Sequence, residues 1–190
     1  MSKQKKLFGF SIIIVLLLTI FSTAFPVFYS EDKSGKISKE ILNLDFTFLK
    51  DENKKYVLLF FGYAGCDNIC PPSLDQISQI YDKLDKEQFS FYFVNLQPNI
   101  SKNDVDPFSK AFNKDFKGIY LEPKELLKIT TKLQVKYAPV NNIDIDHTGF
   151  LYILEKSNNM YKQKLIYTAR PFDVEYISND LKKIQRIRND

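Results

Sequence analysis

The chain begins with one hydrophobic pattern and continues with another. Between Leu7 and Phe28 the only polar side chains are Ser11, Thr19, Ser22 and Thr23. At about 1.5 Å of rise per residue, a helix here is just long enough to cross a hydrocarbon core of roughly 30 Å. The pattern predicts a cytoplasmic tip and transmembrane anchor over residues 1–29. Ser30 to Lys39 is polar and charged and reads as a tether, over residues 30–40. Residues 41–190 have the length of one domain.

Within that domain the patterning is of strand and helix type in turn. Asn43 to Leu49 alternates, with Leu44, Phe46 and Phe48 on one side, and predicts a short strand. Tyr56 to Phe61 is a continuous apolar run of β-formers, suited to a strand buried on both faces, and Gly62 ends it. After Pro71-Pro72, apolar residues recur at Leu74, Ile77, Ile80, Tyr81 and Leu84, which is helical spacing. Phe89 to Leu96 is a second buried strand, so the three form a parallel crossover unit. A helix is expected around Pro107 to Asn113, a brief strand at Gly118 to Leu121, and a helix from Glu122 to Leu133. Phe150 to Leu154 and Met160 to Tyr167 form a hairpin. Asp173 caps a last helix running to Ile187. Helices over a central mixed sheet make an α/β fold of thioredoxin-like type.

Charge changes the picture only at the start. Removing Lys3, Lys5 and Lys6 from the 27 basic residues leaves 24 against 23 acidic ones. The net charge of +4 is therefore largely an orientation signal. It keeps the N-terminus in the cytoplasm and places the main domain on the extracytoplasmic, periplasmic side. No basic surplus remains to support nucleic-acid binding. The competing reading is a cleaved signal peptide, with a small-x-small site at Ser22-Thr23-Ala24. Under either reading the domain lies where cysteine pairs can be oxidised.

Soft donors are scarce. The chain has two cysteines and one histidine. Cys66 and Cys70 stand between the first buried strand and its helix, with three residues between them. Pro71 suits a first helical position, so the helix is expected to begin at Pro71 or Pro72 with Cys70 at the cap. A helix start favours anions and enriches thiolate. Three readings compete: a structural disulfide, a dithiol–disulfide redox pair, and a clamp for a soft metal. A disulfide closing so short a loop stabilises little. Redox pairs of the thioredoxin kind have two intervening residues rather than three. Thiolates select Cu(I) among accessible metals.

His147 lies in Asp144-Ile145-Asp146-His147-Thr148, just ahead of the Phe150 strand. If that strand runs beside the central ones, its entry loop can reach the cysteines, and two thiolates plus one imidazole make a three-ligand copper site. Asp146 is then a candidate to orient the imidazole, or a plain turn residue.

These residues resemble a known family. Phe61-Gly62-Tyr63, Cys66-x3-Cys70-Pro71 and Asp146-His147-Thr148, with the N-terminal anchor, look like the Sco/SenC family of membrane-anchored thioredoxin-fold copper proteins. The resemblance runs from about Ile41 to Ile187. It implies a metallochaperone that supplies copper, as Cu(I) or Cu(II), to the binuclear centre in subunit II of cytochrome c oxidase. Cys66, Cys70 and His147 would hold the metal, and a copper donor and a thiol reductant would be further partners. Gly65 and Asp67 replace the family's usual His and Pro around the first cysteine. Gln97, in Leu96-Gln97-Pro98, replaces an acidic residue. The rival expectation is an enzyme, an extracytoplasmic thiol–disulfide oxidoreductase using Cys66 and Cys70 on the oxidase's copper-site cysteines or on other envelope proteins.

Overall fold

The structure is a computed structural model that describes residues 12–19, 34–140, 144–158 and 160–186. The chain divides into two compact units, 1–33 and 34–190. In the first, residues 12–19 are helical and their aliphatic side chains are exposed. Among the described residues no helix is long and apolar enough to cross a membrane. The expected anchor over residues 1–29 falls mostly outside the described residues.

The second unit is built on one sheet with strand order β1-β9-β8-β3-β4-β5. Its strands are β1 (Lys36–Ile37), β2 (Ile41–Leu44), β3 (Tyr56–Gly62), β4 (Phe89–Asn95), β5 (Lys117–Ile119), β8 (Leu151–Ser157) and β9 (Met160–Tyr167). β3, β4 and β5 run parallel, β8 is antiparallel to β3, and β9 is antiparallel to β8. Both β1 and β2 pair with β9. The helices are α1 (Cys70–Asp82), α2 (Lys102–Lys110), α3 (Pro123–Leu133) and α4 (Val174–Arg186).

Every residue of β3 is buried because helices cover both faces of the sheet. Its side chains alternate between two cores. Tyr56, Leu58 and Phe60 pack with Leu74, Ile77 and Ile80 of α1 and with Ile177 and Leu181 of α4. Val57, Leu59 and Phe61 pack with Leu126, Ile129 and Leu133 of α3. This is the mixed sheet flanked by helices that the pattern predicts. Asp173 caps α4 as expected, its Oδ1 accepting from the Tyr176 N–H at 2.9 Å.

Local differences have local causes. The strand expected over Asn43 to Leu49 is β2 followed by a 3-10 turn at Thr47–Leu49. Asn43 sits at φ 58° and the β2–β9 register shifts there, which breaks the alternation. Leu44, Phe46 and Leu49 still reach the core, through the turn rather than through a pleat. The tether expected over residues 30–40 is not free chain throughout. Lys36–Ile37 forms β1 against Tyr167 and Ile166, and Lys36 Nζ lies 2.8 Å from Asp180. The helix expected around Pro107 begins five residues earlier, at Lys102. The Ser101 hydroxyl accepts from the Asn103 N–H at 3.2 Å and caps it, so Pro107 lies inside the helix rather than opening it.

A two-stranded ribbon of β6 (Tyr137–Pro139) and β7 (Ile145–His147) stands apart from the main sheet. Neither strand was expected. Each has only three residues, too few for a period to show.

Candidate metal centre

Three segments build the site. β3 ends at Gly62, and the loop after it turns through a Cys66 N–H to Tyr63 C=O bond of 3.1 Å. Gly65 makes the turn at φ 91°, which a side chain would strain. α1 then begins at Cys70 with prolines in its first turn, one residue ahead of the expected start. Pro71 and Pro72 have no N–H to offer, and Ile69 cannot cap. The Cys70 N–H points instead to the Cys66 sulfur, at 3.4 Å. The sulfur thus takes a capping position.

Gly62 does more than end a strand. A Cβ there would lie 2.6 Å from Cys70 Sγ and 2.9 Å from the Phe93 ring. Only a residue without a side chain leaves room for the second sulfur beneath the first buried strand.

His147 comes from the ribbon. It is 4% exposed and its Nε2 lies 3.6 Å from Cys70 Sγ. The edges of Phe60 and Tyr63 hold its ring, both at 6.2 Å between centroids and 84°. The sulfurs of Cys66 and Cys70 and a ring nitrogen of His147 all lie within 4.8 Å of one another, and all three residues are buried. The structure therefore brings together all three site residues expected from sequence. Both cysteines are free thiols.

The two sulfurs differ. A hydrogen bond from the Cys70 thiol holds the Cys66 thiol far below its usual range, and donors from His147 and the Cys70 and Asn68 N–H groups add to it against the cost of burial. That same bond, together with burial and the charge on Cys66, pushes Cys70 up. The surroundings thus favour the charge on Cys66 and the proton on Cys70. Cys66 lines a cavity of about 330 Å³ with Tyr63, Asp67, Asp144, Asp146 and His147, whereas Cys70 is fully buried.

Asp146 does not orient the imidazole. It is exposed, on the opposite side of β7 from His147, as strand alternation requires. The His147 Nδ1 has no hydrogen-bond partner among the described residues. Asp144 is tied in instead, accepting from the Tyr63 hydroxyl at 3.2 Å. Gln97 lies in the wall of a neighbouring apolar groove of about 390 Å³ with Leu96, Pro98 and Leu121. It does not line the cysteine cavity.

Sequence reasoning missed Asn95. Its Oδ1 accepts from the Ala64 N–H at 3.2 Å and its Nδ2 donates to the Gln97 carbonyl at 2.6 Å, tying the cysteine loop to the end of β4. The signal was there: an amide at the end of an otherwise apolar buried strand needs a partner.

Known proteins resemble this chain in sequence and fold. An "SCO2-like protein" of Rickettsia felis is 28% identical over 137 residues, covering 67% of this chain and 66% of that one, just under two thirds of its length. The solution structure of apo Sco1 from Thermus thermophilus has the same fold, with a TM-score of 0.60, 23% identity, and 78% and 92% of the two chains covered. Bradyrhizobium japonicum ScoI, solved with copper bound, matches at a TM-score of 0.52 and 25% identity over 68% of this chain and 84% of that one. The model of one family, SCO1/SenC, matches residues 47–184. Cys66, Cys70 and His147 all lie inside that match, and the chain belongs to the SCO1/SenC family.

Proposed function

We propose that this protein binds and passes on copper, with Cys66, Cys70 and His147 as its donors. The observation that carries the reading is the buried meeting of two sulfurs and one imidazole within 4.8 Å. Loading releases the Cys70 proton to solvent, and two soft thiolates with an imidazole then suit copper better than the hard divalent ions. Copper is cargo here. Cys66 lines the cavity and Cys70 is sealed behind it, so a thiolate or imidazole of a receiving protein meets the ion from the Cys66 side. Exchange of one donor at a time then hands the ion over without releasing it to water.

The finer reading follows from the family resemblance. The receiver is subunit II of cytochrome c oxidase, at its binuclear copper centre, with a separate copper donor and a thiol reductant upstream. The apolar run after Lys3, Lys5 and Lys6 supports an anchor over residues 1–29, with the main domain on the extracytoplasmic side. The test is copper stoichiometry and visible absorption of the reduced protein beside Cys66→Ser, Cys70→Ser and His147→Ala. One copper per chain, lost or weakened at least tenfold in each variant, is expected. Unchanged affinity in His147→Ala would overturn the three-donor site.

The unequal sulfurs favour a second reading. An exposed-side thiolate at Cys66 with a protonated, buried Cys70 behind it is an attacking and resolving pair for thiol–disulfide exchange. That activity would survive a copper chelator and His147→Ala, and would vanish in Cys66→Ser.

A further inference from the structure

His147 rides on a ribbon that hydrogen-bonds to itself. Val140 N–H donates to the Asp144 carbonyl at 2.9 Å and Thr148 N–H to the Lys136 carbonyl at 3.1 Å. The β6–β7 pair forms its own two-stranded sheet, outside the ladder that fixes the cysteine loop. A two-stranded ribbon is marginal by itself, so what sets the position of His147 must come from side chains that bridge ribbon and body.

Tyr63 bridges twice. Its ring packs edge-on against the His147 imidazole, and its hydroxyl donates to Asp144 Oδ1, three residues earlier on the same ribbon. Tyr63 belongs to the cysteine loop: its carbonyl accepts from the Cys66 N–H. One residue thus joins the backbone that shapes the Cys66 turn, the ring of the third donor and the turn end of the ribbon. Tyr63 is 5% exposed and Asp144 is exposed, so the bond sits at the boundary between the body and solvent.

The geometry points to Tyr63 and Asp144 as a latch that seats His147 against the two sulfurs and sets how fast copper leaves. They are positioning residues and donate nothing to the ion; the Tyr63 hydroxyl also bonds the Cys66 side chain, so Asp144→Ala is the variant that isolates the latch. This inference rests on the proposed copper reading and adds a rate to it: opening the Tyr63–Asp144 bond frees the ribbon and withdraws the imidazole, leaving an ion on two sulfurs for the receiver to take.

The experiment uses the full chain, three single variants and the Tyr63→Phe/Asp144→Ala double variant. Tyr63→Phe keeps the ring and removes the hydroxyl. Asp144→Ala removes the acceptor. Asp144→Asn keeps a carbonyl oxygen in the same place and is the conservative rescue. Loss of copper to a chelator should quicken about five-fold in Tyr63→Phe and in Asp144→Ala, the range a single net hydrogen bond spans. The double variant should be no faster than Tyr63→Phe alone, and Asp144→Asn should match the parent. The chain has one histidine, so its imidazole signals in nitrogen-15 NMR need no assignment. In the metal-free protein these should shift or broaden in the two latch-breaking variants and not in Asp144→Asn. Parent-like release and parent-like imidazole signals in Tyr63→Phe and Asp144→Ala would overturn the latch. Absence of copper on the parent protein would overturn the copper reading instead, while the imidazole signals still judge the latch.

Discussion

Glu52 is a buried carboxylate that ties the turn before β3 to β4 and β5. It is 5% exposed, in the turn before β3. Its Oε2 accepts from Tyr92 of β4 and Lys117 of β5, both at 2.8 Å, and its Oε1 from the Lys54 N–H at 2.9 Å. Burial alone would raise its pKa, but the bonds from Lys117, Lys54 and Tyr92 outweigh it and hold the carboxyl at about 2, against an ordinary 4.5. At about 1.4 kcal/mol per tenfold change in proton affinity, the charged form contributes about 3 kcal/mol. The Lys117 side chain is half exposed, so solvent screens part of that pair and the figure is an upper one. The folded pKa is depressed, so the contribution is complete above the unfolded value and is lost as pH falls toward 2. By pH 3 about 1.4 kcal/mol should remain. Glu52→Gln turns an amide NH₂ or a weaker neutral oxygen toward the Lys117 ammonium. Its cost should be about 3 kcal/mol at pH 7, shrinking to less than half at pH 3. Urea unfolding followed by tyrosine fluorescence reads this directly, since the chain has 11 tyrosines and no tryptophan. A loss below about 0.5 kcal/mol at pH 7, the range of ordinary surface substitutions, would refute the reasoning. So would a loss of equal size at both pH values, which would mean packing rather than charge.

Two further outcomes test the site itself. Gly62→Ala should cost about 1–3 kcal/mol by overpacking and displace Cys70 Sγ, with weaker metal binding; a parent-like visible spectrum on loading with Cu(II) would show that the sulfur has room to move. Iodoacetamide should alkylate Cys66 ahead of Cys70, and its rate should stay nearly flat as pH falls from 8 to 5 because Cys66 holds its thiolate; mass spectrometry showing Cys70 labelled first, or a tenfold drop per pH unit, would contradict the assigned charge.

The chain announced its sheet because long buried strands leave continuous signals. Tyr56 to Phe61 and Phe89 to Leu96 could hardly be anything but central strands, and the proline pair after Cys70 placed the helix start within one residue. The donors were legible for a different reason: with two cysteines and one histidine there was only one set to choose. What stayed hidden was whatever tertiary contact decides. His147 read as a turn residue because a three-residue strand has no periodicity to show. Of the two readings open for Asp146, the orienting one fails because the residue is exposed while His147 is buried. Tyr63 and Gly62 looked like punctuation after a strand, and their roles depend on groups far along the sequence.

His147 and Cys70 are 77 positions apart in the chain. Bringing two such points together in a disordered chain costs about 4 kcal/mol of entropy, which the fold has already met before any ion arrives. An unfolded chain keeps its two cysteines near each other but has lost the third donor. Retention of the ion therefore reports that the chain has folded. The reverse also holds: an ion bound only by the folded form, at a hundred times its dissociation constant, deepens the native well by about 2.7 kcal/mol. Loaded molecules should outlive empty ones under proteolysis, so supply of the metal would govern how much of the protein persists.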